Sequence, residues 1–192
     1  KSHFQVAEVI DMSPCEKQGQ YLEGTGSMII DHENGIIYAA LSERTQAPLT
    51  EKVGDILGFK VVNFKPNRYT GPNGVEAAIY HTNVMMCLAE TFAVICADCI
   101  DDKKERKLVL DNLKADGKDI ILITEDQVNN FAGNMLEVKG TDDRRYLIMS
   151  ASAHQSLTKK QIAQLEEHVT IVSSSLDTIE ACGGGSARCM MA

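Results

Sequence analysis

A short sequence pattern recurs four times along the chain, at intervals of about fifty residues. Each copy opens with small or turn-forming residues and leads into a predicted apolar strand. The copies are LEGTGSMII from Leu22, HTNVMMCLA from His81, AGNMLEV from Ala132 and GGSARCMMA from Gly184. Aligned on Ser27, Asn83, Asn134 and Cys189, they are 56, 51 and 55 residues apart. Periods of this length indicate a repeat architecture, in which each repeat is one supersecondary unit.

The segments that follow each copy also recur, as a second strand, a helix and a third strand. Second strands are predicted at 36–42, 92–100 and 146–150, because these segments are rich in apolar and β-branched residues. Helices are predicted from Leu49, Asp101 and Thr158, where apolar residues recur every three or four positions. Closing strands are predicted at 60–64, 119–124 and 169–173, and an opening strand at 4–10. Each complete unit is therefore ββαβ, and the fold class is α+β.

The chain contains three complete units, the start of a fourth and an opening strand. A closed ring of three is excluded, because the opening strand and the partial fourth unit both need partners. We therefore expect a larger ring, in which the first strands of successive units line a central axis and no strand edge is left free. The segment 63–75, which contains Pro66, Pro72, Gly71 and Gly74, is expected to be a long loop. It is either a lid over the site or a surface excursion.

This geometry brings Glu23, His81 and Cys189 towards one channel, since each lies near the opening of a different unit. Together they supply the groups needed for covalent catalysis at a trigonal carbon. The Cys189 thiolate attacks, and His81 protonates the leaving nitrogen and later activates water. Glu23 accepts hydrogen bonds from substrate N–H groups. The structural alternative for Cys189 is a small apolar residue before a flexible tail.

Composition excludes several classes of partner. The formal net charge of −8, with no long basic cluster, disfavours nucleic acid. No apolar run is long enough to span a membrane, and no signal peptide is visible. The six cysteines lack the dense spacing of a disulfide scaffold, so we expect a cytoplasmic protein. Cys96 and Cys99, predicted on opposite faces of a strand, have no second metal-binding pair, and neither a metal nor another cofactor is expected.

Five segments resemble the pentein superfamily, which includes arginine deiminases, dimethylarginine hydrolases and amidinotransferases. They are LEGTGS at 22–27, LSERT at 41–45, YHTNV at 80–84, NFAGNML at 130–136 and GGGSARCM at 183–190. Within that superfamily the chain most resembles the citrulline-utilising hydrolase group. The resemblance implies a five-fold ββαβ propeller, of which residues 1–192 form a single domain with about three and a half units. Because the chain starts with Lys1, we expect the N-terminal portion of that domain to be missing.

The resemblance also assigns roles to residues. Cys189 matches the nucleophile, His81 the catalytic histidine and Glu23 the carboxylate that faces the guanidinium. Asn83 stands where many relatives have Asp, and the loss of that charge favours a neutral ureido group over a guanidinium cation. Arg44 and Arg188 match positions near the substrate's α-carboxylate, although an ion pair between repeats explains them equally well.

These observations predict a cysteine-dependent hydrolase that converts citrulline into ornithine, ammonia and carbon dioxide. The alternatives are an arginine deiminase, a dimethylarginine hydrolase or an amidinotransferase. A different class of function also remains open, namely a non-catalytic propeller that binds a macromolecule such as the ribosome, as a pentein-like anti-association factor does. The expected partner is a small amino-acid substrate, and a homo-oligomer is compatible with the sequence.

Overall fold

The computed structural model describes residues 5–70 and 76–191, and three of the sheets described there share one topology. In each, an antiparallel pair of strands is followed by a helix and by a third strand parallel to the second. The first unit contains α1 (Gly24–Ser27), β1 (Ile29–Asp31), β2 (Ile36–Ala40), α2 (Ala47–Leu57) and β3 (Lys60–Phe64). A hairpin of β4 (Arg68–Thr70) and β5 (Glu76–Ala78) follows it.

The second unit repeats this order with β6 (Met86–Leu88), β7 (Phe92–Ile95), α3 (Lys103–Ala115) and β8 (Asp119–Leu122). The third contains α4 (Glu125–Asn129), β9 (Leu136–Lys139), β10 (Arg145–Ser150), α5 (Ala151–Ser156), α6 (Lys159–Glu166) and β11 (Thr170–Ser174). The chain then forms α7 (Asp177–Gly183) and α8 (Ala187–Met191). The α+β class and the three ββαβ units are confirmed, whereas the number of units in a complete ring stays a prediction.

Local sequence determines where the main helices begin and end. The Asp102 side chain accepts hydrogen bonds from the first backbone N–H groups of α3, and Thr158 forms a capping box with Gln161 at the start of α6. Helix α2 ends at Gly58, which adopts φ of +68°, a conformation that glycine reaches without strain. The three predicted helices are therefore present, with starts within two residues of the predicted positions.

The first strands of successive units are neighbours, because β1 contacts β6 and β6 contacts β9. The central strands β2 and β7 are buried along their whole length. As a result, the segments that precede β1, β6 and β9 lie together at one end of the three sheets. The predicted alignment of first strands is confirmed for these three units.

Several predicted elements differ in the structure. The opening strand predicted at 4–10 is absent from the described residues 5–10, which are exposed and pair with no neighbouring strand. Residue 4 lies outside the described residues. The strand predicted at 92–100 ends at Ile95, since Ala97–Cys99 forms a 3₁₀ turn. In this turn the Cys99 backbone N–H donates to the Cys96 carbonyl oxygen at 3.3 Å, so the two cysteines do not alternate across a strand as predicted. Part of the loop predicted at 63–75 belongs to the β4–β5 hairpin, and residues 71–75 lie outside the described residues.

The segment around Cys189 is helical, not the predicted apolar strand. Ala187, Arg188 and the two methionines favour helix, and the segment contains no β-branched residue. Gly184, with φ of +66°, ends α7 and turns the chain into α8. Cys189 therefore lies on a one-turn helix that contacts β9 and β10.

Candidate active site

The residues aligned as equivalent in the second, third and fourth copies of the repeat meet in space. The Cys189 Sγ atom lies 3.6 Å from Asn83 Nδ2 and 3.2 Å from Asn134 Nδ2. The Cys189 backbone N–H donates to Asn134 Oδ1 at 3.4 Å. This convergence follows from the fold, since Asn83 and Asn134 precede the neighbouring first strands β6 and β9.

Both asparagines are buried, with relative exposures of 4% for Asn83 and 3% for Asn134. The Asn134 side chain also donates to the Asn83 carbonyl oxygen at 3.1 Å. The Asn83 Oδ1 atom has no hydrogen-bond partner among the described residues. Two buried, uncharged amides therefore present N–H groups to the sulfur.

The loop between α7 and α8 is held by polar contacts that determine where Cys189 lies. Glu180 accepts hydrogen bonds from the hydroxyl groups of Ser152 and Ser186, each at 2.6 Å. The Tyr80 hydroxyl donates to the Gly184 carbonyl oxygen at 2.5 Å. A Cβ atom at Gly185 would lie 3.1 Å from Cys189 Sγ, so the thiol packs closely over a residue that has no side chain.

His81 and Glu23 form a second group. The His81 Nε2 atom lies 2.8 Å from Glu23 Oε2, and Arg44 Nη1 lies 3.5 Å from the same oxygen. The imidazole packs against Gly26, where an added Cβ would lie 2.7 Å from Nδ1. The side chain of His81 is 16% exposed and that of Glu23 is 46% exposed. The carboxylate thus orients the imidazole and still has surface open to solvent.

Tyr80 joins the two groups. Its ring contacts that of His81 with centroids 4.9 Å apart, and the Arg44 guanidinium lies 4.8 Å above the ring centroid. Burial raises the pKa of Tyr80, negative charge at Cys189 raises it further, and Arg44 acts in the opposite direction. The phenol is therefore a neutral hydrogen-bond donor at physiological pH.

A cavity of about 750 Å³ opens in front of the thiol. Its polar wall includes Tyr80, Asn134, Asp177, Glu180 and Cys189, and Phe131 adds an aromatic surface. Of the six predicted site residues, Cys189 alone lines this cavity. Asn83 contacts the sulfur without lining the cavity. His81 and Arg44 contact Tyr80, which does line it, whereas Glu23 lines a separate cavity of about 370 Å³.

Arg188 lies apart from these groups. The residue is 9% exposed, and its Nε atom has no hydrogen-bond partner among the described residues. Its positive charge acts on the buried Cys87 thiol. Burial raises the pKa of Cys87 and the charge of Arg188 lowers it, so that the pKa is about 11. Arg188 therefore contacts the interior of the protein, although it precedes the exposed Cys189 in sequence.

Four residues of the site were not predicted as such. Asn134 had a usable signal, because it aligns with Asn83 and Cys189 in the repeat, and Tyr80 directly precedes His81. Asp177 and Glu180 carried no recognisable signal, since they belong to a short helix outside the three repeat units.

Within residues 5–70 and 76–191, no three His, Cys, Asp or Glu side chains are placed to hold a metal ion. No helix in the same part of the chain has both the length and the hydropathy needed to cross a bilayer. The interaction between the Cys96 and Cys99 thiols lowers the pKa of Cys96 and raises that of Cys99, which burial raises further.

Comparison with known proteins gives one family. The family described as "N,N dimethylarginine dimethylhydrolase, eukaryotic" matches the chain over residues 1–192. No curated protein sequence matches it.

Solved structures share the fold at low sequence identity. Apo ArgZ, an arginine dihydrolase from the ornithine-ammonia cycle in cyanobacteria, is 18% identical with a TM-score of 0.68, over 88% of this chain and 23% of ArgZ. The N-terminal domain of ArgZ covalently bound to a reaction intermediate is 19% identical with a TM-score of 0.68, over 88% of this chain and 55% of that domain. SxtG, an amidinotransferase from Microseira wollei, is 14% identical with a TM-score of 0.54, over 85% and 45% of the two chains. This chain therefore spans about a quarter of ArgZ and about half of its N-terminal domain.

Proposed function

The chain belongs to the eukaryotic N,N-dimethylarginine dimethylhydrolase family of the pentein superfamily, and on that premise we propose that it forms part of an enzyme that hydrolyses a C–N bond at a ureido or guanidino carbon. The description of that family supports the predicted class, a cysteine-dependent hydrolase or amidinotransferase. The observation that carries the proposed reaction is the Cys189 thiol, held by two amide N–H groups at the wall of a cavity of about 750 Å³.

The proposed mechanism has two stages. The Cys189 thiolate attacks the trigonal carbon, so that a C–S bond forms and a tetrahedral adduct develops. The C–N bond then breaks, and His81 supplies the proton that the leaving nitrogen needs. In the second stage His81 takes a proton from water as the water attacks the same carbon, and the C–S bond breaks to regenerate Cys189.

Glu23 has two roles in this proposal. The hydrogen bond to His81 Nε2 fixes the orientation of the imidazole. The exposed surface of the same carboxylate accepts hydrogen bonds from substrate N–H groups, the role predicted from the sequence. Arg44 is the better placed of the two predicted arginines for the substrate's α-carboxylate, because it is half exposed above the Tyr80 ring whereas Arg188 is buried.

Citrulline is the substrate we propose first. Both side chains that contact the Cys189 sulfur through hydrogen bonds are neutral amides, Asn83 and Asn134. A neutral environment at the attacked carbon favours a ureido group, because a guanidinium cation gains most from nearby carboxylates. With citrulline the two stages release one amine and a carbamate, and the carbamate then loses carbon dioxide to release the second amine. One citrulline and one water thus give ornithine, ammonia and carbon dioxide.

N,N-dimethylarginine is the second candidate, because two observations favour a cation. The matching family carries that activity in its description. In addition, the carboxylates of Asp177 and Glu180 line the same cavity as the thiol. Hydrolysis of this substrate gives citrulline and dimethylamine.

The test uses the full-length protein that contains this chain, incubated separately with citrulline, arginine and N,N-dimethylarginine. Ornithine, citrulline, ammonia and dimethylamine are quantified, with the variant Cys189→Ala as the control for contaminating activity. Ornithine from citrulline supports the first choice, and dimethylamine supports the second. Ammonia and citrulline from arginine indicate a deiminase, and transfer from arginine to an added amine indicates an amidinotransferase. The absence of every product leaves the macromolecule-binding alternative.

The architecture of the whole domain is part of this proposal. Three ββαβ units with neighbouring first strands are compatible with a five-fold propeller, in which residues 1–192 supply about three and a half units of a single domain. A structure of the full-length protein tests the number of units. Sedimentation of the same protein tests whether it is a monomer or a homo-oligomer.

A further inference from the structure

Asn134 is the residue most closely attached to the thiol of Cys189. Its side chain accepts from the Cys189 backbone N–H at 3.4 Å and donates to Cys189 Sγ at 3.2 Å. Its backbone oxygen accepts from the Arg188 N–H at 3.4 Å. One side chain thus contacts both the backbone and the sulfur of the residue that we propose as the nucleophile.

The orientation of the Asn134 amide is fixed by its other partners. Oδ1 faces a backbone N–H, which can only donate, and Nδ2 also faces the Asn83 carbonyl oxygen, which can only accept. Rotation of the amide by 180° would place two donors together and two acceptors together. Nδ2 therefore has to be the atom that faces Cys189 Sγ.

The backbone around Asn134 is also held in place. A Cβ atom at Gly133 would lie 2.3 Å from the Val84 carbonyl oxygen and 2.8 Å from Met85, so this loop packs directly on the second unit. The Asn134 backbone N–H donates to the Phe131 carbonyl oxygen at 2.8 Å. An amide on this loop has little freedom to move when the sulfur changes charge.

We propose that Asn134 is a catalytic residue that stabilises the negative charge of the Cys189 thiolate, an inference that rests on the proposed nucleophilic role of Cys189. A neutral N–H donor directed at the sulfur favours the charged form over the thiol. Asn83 contributes less, because its Nδ2 is 3.6 Å from the sulfur. In addition, its Oδ1 has no hydrogen-bond partner among the described residues that would fix the orientation of the amide. The third repeat thus supplies the donor that activates the nucleophile placed after it.

The alternative is that Asn134 only ties the loop to α8, and an isosteric change separates the two roles. Asn134→Asp keeps the volume and the acceptor for the Cys189 N–H, but it replaces the donor to the sulfur and to the Asn83 carbonyl oxygen with a carboxylate oxygen. If Asn134 acts only by tying its loop to the Cys189 N–H, Asp is tolerated better than Ala. Thiolate stabilisation predicts the reverse order, because the carboxylate repels the thiolate.

The experiment measures the alkylation of Cys189 by iodoacetamide between pH 6 and pH 10 in the full-length protein, with peptide mass spectrometry as the readout. Cys182 is exposed in the same molecule and serves as the internal reference. At pH 7 we expect the rate at Cys189 to fall about 10-fold in Asn134→Ala, as for a shift of about one pH unit in the profile, and further in Asn134→Asp. The difference between wild type and the variants should narrow as the pH rises, because alkaline solution favours the thiolate whether or not Asn134 is present.

Equal rates at pH 7 in wild type and Asn134→Ala, or a faster rate in Asn134→Asp than in Asn134→Ala, would overturn the inference. If Asn134→Asp does not fold, Asn134→Ala alone decides, since a rate within twofold of wild type excludes the role. Alkylation needs no substrate. Slow alkylation in the variants therefore supports this inference even if the wild type turns over none of the proposed substrates, and that second result would reject the proposed function alone.

Discussion

His81 and Glu23 are 58 residues apart in the chain, and yet His81 Nε2 lies 2.8 Å from Glu23 Oε2. One residue precedes the first strand of the second unit, and the other precedes that of the first unit. The contact between β1 and β6 brings these segments together. The repeat therefore brings together an imidazole and a carboxylate that lie far apart in the sequence.

Replacement of Glu23 by Gln is expected to lower kcat by at least 10-fold. The amide keeps the shape of the side chain, but it removes the charge that holds the imidazole and meets substrate N–H groups. Turnover of the preferred substrate at saturation measures the effect. Glu51→Gln, an exposed change in α2, is the matched control and should retain wild-type turnover. A wild-type kcat in Glu23→Gln would remove Glu23 from the mechanism.

Replacement of Cys189 by Ala is expected to abolish turnover and to leave the free energy of unfolding within about 1 kcal/mol of wild type, because the residue is exposed. Cys182→Ala is the control, since Cys182 is a second exposed cysteine only seven residues away. Urea denaturation measures stability, and product formation measures activity. If both variants retained activity, the thiol of Cys189 would not be the nucleophile.

Periodicity was sufficient to predict the units but not the helix that carries Cys189. The ββαβ order follows from local patterns, because strand and helix periods differ and each unit repeats them. The resemblance of segment 184–192 to the earlier copies predicts another first strand. In the structure Gly184 turns the chain and Ala187, Arg188 and Met190 form helix, which is a local preference that the comparison of copies concealed.

The repeat also predicts some residues of the site and not others. Glu23, His81 and Cys189 are predictable because each lies near the opening of a different unit, in a segment that resembles the family. The alignment of Asn134 with Cys189 in the repeat likewise points to the contact that the structure shows. Glu180 could not be found in this way. Its role depends on the hydrogen bonds that it accepts from two serine hydroxyls. Those bonds form only when α5 and the loop before α8 are packed together.

Glu180 is expected to position the nucleophile loop, so Glu180→Ala should lower kcat more than it raises KM. Loss of the carboxylate frees the hydroxyls of Ser152 and Ser186 and lets the loop before Cys189 move. A displacement of the thiol slows the chemical step more than it weakens substrate binding. Steady-state kinetics separates the two constants, and Glu166→Ala, an exposed change in α6, is the control.

A double-mutant cycle with Ser186→Ala distinguishes this role from a general loss of stability. If Glu180 acts through Ser186, the two changes together should cost little more activity than either alone. Additive losses in kcat would mean that the carboxylate acts elsewhere in the cavity. A loss that tracked the midpoint of thermal unfolding would assign Glu180 to folding rather than to the site.

The ion pair between Asp31 and Lys118 is expected to stabilise the fold most strongly near neutral pH. The two side chains are each 3% exposed, with Lys118 Nζ 3.3 Å from Asp31 Oδ2 and 2.8 Å from the Glu90 carbonyl oxygen. Burial acts to raise the pKa of Asp31, but the hydrogen bonds from Asn34 and the charge of Lys118 together hold it below the ordinary value of 3.8. A carboxyl whose pKa is lowered by folding contributes stability above the unfolded value, and that contribution is lost as the pH falls through the folded value.

Lys118→Met should therefore cost about 3–5 kcal/mol at pH 7, because it leaves a buried carboxylate without its partner. The deficit should shrink towards pH 3, where the unpaired carboxyl of Asp31 takes up a proton. Urea denaturation at several pH values measures both effects. Lys107→Met, which removes the exposed pair with Asp111, should change stability by less than about 1 kcal/mol. Equal losses in the two variants, or a deficit in Lys118→Met that does not depend on pH, would show that the Asp31–Lys118 pair does not stabilise the fold by this mechanism.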